Sequence, residues 1–247
     1  MLLYKPKKSG YIMEKIVLDK IPESYYYQAL GSGASGNCFL MQNKVEVFKE
    51  FRAQIKYLSD LENLSIYKSD IFLFPQKYIF LGSESEENFA GYVRKAAVGI
   101  EFDSIDESAD FNTLVTALSL LEKEIQRLTF EGLLVDDLNQ GNLFYSEGSG
   151  FNVIDTDFYG VTYDDDFKHQ YMANLKELAA TVIHCMIRYD RFESEKLKEY
   201  IMKCGAYGRM RPSSLVQEFA EYIKKKTSEE VDTLGKFNKG MELIRIK

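Results

Sequence analysis

The chain has 247 residues, 45% of them hydrophobic, 28% charged, and a net charge of −7. That length and apolar content support one large domain or two lobes with real cores, and the acidic balance excludes an overall basic field for nucleic acid or an anionic membrane. Three cysteines (Cys38, Cys185, Cys204) in no metal-like spacing argue against a disulfide framework and against zinc, which points to reduced thiols and a cytoplasmic protein. Two histidines, His169 and His184, leave little scope for histidine-based metal hydrolysis or a Ser-His triad, and His184 reads as a packed core residue. No run of about 18 apolar residues predicts a membrane span, and the lysine-bearing start lacks the apolar stretch of a secretory signal.

In chain order, residues 1–22 read as polar and irregular. Tyr25–Leu30, Cys38–Met41 and Val45–Phe48 predict three antiparallel strands, with glycines at the first turn and Gln42-Asn43-Lys44 at the second. Phe51, Ile55, Leu58 and Leu61 recur at helical spacing. Ile71–Phe74, Tyr78–Leu81 and Ala90–Arg94 add three more strand segments, and the strand-rich lobe over 1–95 is read as using five of the six as antiparallel strands, with one helix. After a joint near 94–101, Leu114, Leu118, Leu121, Ile125 and Leu128 mark a long amphipathic helix, capped by Asp110 or Asn112 and ended by Gly132. Beyond residue 167 the pattern is helical, with segments at Gln170–Tyr189, Ser194–Lys203, Ser213–Thr227 and Glu229–Phe237, so that 96–247 forms a larger helical lobe.

Four patterns in fixed order carry chemistry. Gly31-Ser32-Gly33-Ala34-Ser35-Gly36 is G-x-G-x-x-G, a loop whose backbone can approach phosphate oxygens closely. Lys49 ends the next alternating run and offers a compact cation for phosphates. Asp137 and Asn142 follow in Val135-Asp136-Asp137-Leu138-Asn139-Gln140-Gly141-Asn142, and Asp155 ends the apolar run Val153-Ile154-Asp155. Magnesium takes oxygen ligands at about 2.1 Å; Asn142 and Asp155 supply such oxygens, leaving Asp137 to orient a hydroxyl and take its proton. Each pattern alone is common, and only the ordered set predicts phosphoryl transfer.

With these motifs the chain resembles the eukaryotic-type protein kinase superfamily from about Tyr25 to past Gly160, and more faintly to Arg211-Pro212-Ser213. The resemblance implies an α+β, two-lobed protein kinase-like fold. It implies an ATP-dependent phosphotransferase with Mg²⁺ or Mn²⁺, Gly31–Gly36 over the phosphates, Lys49 as the strand lysine, Asp137 as the catalytic aspartate, and Asn142 and Asp155 as metal ligands. Backbone groups near Lys95 and Ala97 would face the adenine, and Glu101 the ribose. Gln54 stands where the family has a helix glutamate, Val135-Asp136 replaces His-Arg, Asn139 replaces the loop lysine, and Asp157 is a possible auxiliary metal group. The segment from Asp155 to Lys168 is too short for an ordinary activation segment and is more like that of small-molecule kinases. The resemblance thus implies ATP and an unknown protein or small-molecule acceptor as partners, with no nucleic acid and no membrane. A pseudokinase that binds a nucleotide or a partner, and transfer of AMP, are the alternative activities.

Overall fold

The computed structural model describes residues 13–33, 35–52, 58–162, 166–205 and 210–245. Its chain divides into two compact units, Met1–Ala97 with Ile154–Val161, and Val98–Val153 with Thr162–Lys247.

The first unit is built on a six-stranded sheet in the order β1-β5-β6-β4-β3-β2. The strands are β1 (Glu14–Leu18), β2 (Gln28–Ser32), β3 (Gly36–Leu40), β4 (Glu46–Phe51), β5 (Lys77–Leu81) and β6 (Phe89–Lys95). Five antiparallel strands were expected, and that expectation is corrected. The segment read as irregular contains β1, which runs parallel to β5 with Ile16 opposite Ile79, so the sheet is mixed. Glu14-Lys15-Ile16-Val17-Leu18 hides this strand because it is an edge, with two charged residues at its start and Val17 half exposed. Ile71–Phe74 is not among the strands; its aromatics pack instead, Phe72 and Phe74 stacking at 6.2 Å between ring centres. The predicted strand at Tyr25 begins as a 3-10 turn, Glu23–Tyr26, and only then extends into β2.

One face of this sheet carries Met41, Phe48, Ile79 and Val93, sealed by Tyr25 and Tyr26. Those two rings meet Phe48 edge-on at 5.2 and 6.0 Å, the geometry favoured by the aromatic quadrupole. The opposite face follows from strand alternation and register: Val47 lies opposite Arg94, Lys49 opposite Tyr92, and Cys38 opposite Lys49. Helix α1 (Leu58–Leu64) buries Leu61 and Leu64. Gln54, the residue in place of the helix glutamate, lies outside the described residues, as does Ala34. The short strand β11 (Gly160–Val161) completes the unit.

The second unit is mostly helical. Its strands β7 (Ile100–Glu101), β9 (Leu143–Ser146) and β10 (Gly150–Val153) form a sheet in the order β10-β9-β7, and β8 (Leu133–Leu134) is a short strand. Helix α2 (Phe111–Phe130) is capped by Asp110, whose carboxylate accepts from Thr113 N at 2.7 Å, and the chain leaves it through Gly132 at φ +91°. Leu114, Leu118, Leu121, Ile125 and Leu128 are fully buried along it. Around it stand α3 (Phe167–Val182), α4 (Glu195–Cys204), α5 (Pro212–Thr227) and α6 (Leu234–Arg245). Pro212 opens α5 at a position that needs no N–H. Buried Glu122 of α2 holds that helix start, accepting from Ser213 N at 2.7 Å and Ser213 Oγ at 2.8 Å. Burial pushes the Glu122 carboxyl up, with the two Ser213 bonds pulling against it. His184 is corrected from a core residue to an exposed one. A π-helical turn at Ile183–Ile187 adds a residue to the helical repeat and rotates it outward. Among the described residues no helix is long and apolar enough to cross a membrane.

A Cβ on Gly36 would lie 2.1 Å from the Glu50 carbonyl oxygen, whereas one on Gly33 would meet nothing within 4 Å. Gly36→Ala is therefore expected to cost about 1–3 kcal/mol as β3 and β4 are forced apart. Gly33→Ala should cost less than about 1 kcal/mol. Urea unfolding of the two variants checks the ordering.

Candidate functional site

Lys49 is 2% exposed on β4, a position at which an ammonium ion cannot remain without counter-charge. The counter-charge comes from the turn Asp155–Phe158. Lys49 Nζ donates to Asp155 Oδ1 and lies 3.1 Å from both carboxylate oxygens of Asp157. Tyr92, opposite Lys49 on β6, donates its hydroxyl to Asp157 Oδ1 at 3.0 Å. Burial alone would pull the Lys49 ammonium down, but Asp157 and then Asp155 outweigh it and hold its pKa above the ordinary value. Burial pushes the Asp157 carboxyl up, with Lys49 opposing. Burial likewise pushes the Tyr92 phenol far up, so it stays a neutral donor. Asp155 is the accessible member, with its side chain 32% exposed against 2% for Asp157. Its backbone is left-handed at φ +59°, which an L-residue adopts at a cost that surrounding contacts must offset.

Asp137 and Asn142 lie in the second unit and meet there. Asn139 Nδ2 donates to Asp137 Oδ1 at 2.7 Å. Asn142 Nδ2 donates to the Asp137 carbonyl at 2.9 Å and to its Oδ2 at 3.3 Å. Asp137 is also left-handed, at φ +52°. Two features that spacing did not reveal hold this loop. Asn174 of α3 accepts from Val135 N at 2.9 Å and donates to the Leu133 carbonyl at 2.8 Å, and Thr181 donates to the Leu138 carbonyl. Their only signal in the sequence is a polar residue on an otherwise apolar helix face. Half-buried Glu177 has its carboxyl pushed up by burial, then by Asp136 and Asp137.

The other predicted residues are dispersed. Gly31 and Ser32 lie in β2, Gly33 and buried Ser35 in the turn, and Gly36 in β3. Arg52 donates to Ser32 Oγ and, at 2.6 Å, to Asn37 Oδ1, bracing that turn. The Lys95 carbonyl accepts from Arg94 Nη1 at 2.9 Å, while the Lys95 ammonium lies 3.6 Å from Asp70. Ala97 closes the first stretch of unit one, and Glu101 is exposed in β7 of unit two. Among the described residues no group of three or more His, Cys, Asp or Glu is placed to hold a metal ion. Within unit one, the carboxylate oxygens a cation would use are those of Asp155 and Asp157, both turned to Lys49.

No protein-family model matches the chain. It is similar to proteins provisionally named N-acetylmannosamine-6-phosphate 2-epimerase. One, from Listeria monocytogenes serotype 4b strain F2365, is 24% identical over 240 residues, covering 90% of each chain. Another, from L. monocytogenes serovar 1/2a, is 23% identical over 240 residues, covering 90% of this chain and 88% of the relative. These relatives carry the name of an isomerase, and that finding corrects the protein kinase resemblance, the two-lobed kinase fold, and the assignment as a kinase, transferase and ATP-binding protein. The ordered motifs did not suffice because every residue in them is a type that also serves turns, caps and ion pairs.

Lys49→Met would leave Asp155 and Asp157 together without their cation. It is expected to destabilise the protein by about 3–5 kcal/mol at neutral pH. Lys49→Met/Asp157→Asn should recover part of that loss. In the single variant the Asp157 carboxyl is raised further. Its protonated form is then favoured on folding, and stability falls as pH rises from about 3.9, the ordinary Asp value, through the folded one. Urea unfolding from pH 4 to 8 should show the deficit shrinking on acidification.

Proposed function

We propose that the protein is an enzyme acting on a phosphorylated small molecule, with Lys49, Asp155 and Asp157 as its proton-handling group. The observation that carries this reading is the buried ammonium of Lys49 held between two carboxylates, one enclosed and one accessible. The name of the relatives makes an N-acetylated amino-sugar 6-phosphate the first substrate to test, with inversion at the carbon next to the carbonyl.

The chemistry suits the three side chains. Removing the proton at that carbon sends its electron pair to the carbonyl oxygen, giving an enolate. Lys49, held protonated by its partners, cannot be the base; it is the cation that steadies the enolate oxygen. Asp155, the exposed carboxylate, takes the proton as the C–H bond breaks. A proton from solvent water then adds to the opposite face of the enolate, and Asp155 releases the proton it took to solvent, which completes the inversion. Asp157, accepting from Tyr92, fixes the ammonium in place. The free thiols Cys38, Cys185 and Cys204 support a reducing, cytoplasmic setting.

The test is proton NMR in D2O with N-acetylmannosamine 6-phosphate. The expected result is appearance of the C2 epimer carrying deuterium at C2, with rates reduced about 100-fold or more in Asp155→Asn. Thermal-shift arms with ATP and Mg²⁺ or Mn²⁺, the ligands expected from the sequence, run alongside. Stabilisation by ATP with no solvent exchange at C2 would overturn the isomerase reading.

A further inference from the structure

The sheet face that carries Lys49 carries a second buried cation. Arg94 is 4% exposed on β6, two residues beyond Tyr92 and directly opposite Val47. Two residues along a strand put it roughly 7 Å from the Tyr92 position. Its Nη1 donates to the neighbouring Lys95 carbonyl, and its buried Nε–H has no acceptor among the described residues. A guanidinium is charged at every accessible pH and presents five donors in a planar fork.

Among the described residues, the groups that face Arg94 do not neutralise it. Val47 is apolar. The Cys38 thiol is pushed up by burial and stays neutral, although Arg94 is the strongest of the charges pulling it down. Tyr92 is held neutral in the same way. Asp155 and Asp157 are turned to Lys49. Among the described residues no carboxylate forms an ion pair with Arg94. The contrast with nearby lysines is informative. A cavity of about 660 Å³ in the same unit is lined by Lys77 and Lys95, among others. Lys77 is paired with Glu46 at 2.8 Å, and Lys95 is half exposed with Asp70 at 3.6 Å, so neither is a buried charge without counter-charge.

We propose that Arg94 is the binding residue for the phosphate of the ligand. An oxyanion with its oxygens in one plane against the fork would fill the Nε–H and supply the missing counter-charge. The placement divides the work on one sheet face, with Arg94 holding the phosphate and Lys49 with its carboxylates addressing the reacting carbon. This assignment deepens the function proposed above and rests on it for the identity of the substrate. The anion site itself can be measured without the sugar.

The experiment titrates wild type, Arg94→Gln and Arg94→Lys with three probes: inorganic phosphate, N-acetylmannosamine 6-phosphate and unphosphorylated N-acetylmannosamine. Chloride at matched ionic strength is the reference, and thermal shift and calorimetry are the readouts. Phosphate should raise the melting temperature of wild type, and Arg94→Gln should weaken both phosphate-bearing probes about tenfold or more. Arg94→Lys should be intermediate, and all three proteins should treat the unphosphorylated sugar alike. Equal phosphate affinity in wild type and Arg94→Gln, or no effect of phosphate on wild type, overturns the proposal. If inorganic phosphate behaves as expected while both sugars are silent, the sugar reading falls and the Arg94 site stands. Should Arg94→Gln fail to fold, the Arg94 Nε–H resonance of wild type decides: a shift on adding phosphate supports the site, and an unmoved resonance overturns it.

Discussion

The first unit depends on one ion-paired cluster, an ammonium ion on β4 satisfied by carboxylates 106 and 108 residues further along the chain. The chain leaves this unit at Ala97 and re-enters at Ile154. The re-entering segment is anchored by buried Tyr159, edge-on to Phe72 at 6.0 Å, and the turn before it is fixed by polar contacts. Lys49 supplies the charge, Tyr92 adds a donor from the adjacent strand, and Asp155 accepts a left-handed backbone to point its carboxylate inward. Breaking a buried pair costs more than forming it gains, because the orphaned charge cannot leave. The cluster therefore sets the conformation of the turn more strongly than it adds to net stability.

That same property explains why an ordered motif set pointed to another chemistry. G-x-G-x-x-G suggested a phosphate cradle, yet Gly36 is required where β3 passes the Glu50 carbonyl, a packing need with no reference to ligand. Asn142 suggested a metal ligand, yet its amide donates twice to Asp137 and braces a strained loop. Residue type and spacing fix which groups can meet. They do not fix which member of the meeting is the ligand and which is the brace, since both uses want the same polar atoms.

Helix α2 was the most legible element of the fold, where a period of 3.6, an Asp cap and a terminal Gly agree, whereas the helix read at Glu229–Phe237 instead begins at Leu234 and runs to Arg245. Burial sharpens such a signal because every fourth residue must be apolar. β1 was illegible for the opposite reason: an edge strand is chosen by what it pairs with, and its partner Lys77–Leu81 lies some sixty residues away. The π-helical turn at Ile183–Ile187 was also hidden, since one extra residue leaves composition unchanged and only turns His184 outward. In the candidate site, Lys49 and Asp155 stood out in the sequence, and the structure brings them into contact. Asp157 looked auxiliary in the sequence, and Arg94 carried no signal, because a lone arginine at a strand end is ordinarily solvated.

The two cations of this face show what burial adds to a sequence reading. Lys49 has more than its charge returned, since two carboxylates against one ammonium leave the cluster net negative if all are ionised. Arg94 has an unmet donor and no ion-paired carboxylate among the described residues. On the proposed reading, a phosphate approaching this face would be repelled by the first arrangement when both carboxylates are ionised and attracted by the second. The proposed orientation follows from that difference: the anionic end of a ligand would go to the arginine and the neutral end to the lysine, where a developing oxyanion would meet an ammonium ion already fixed in place.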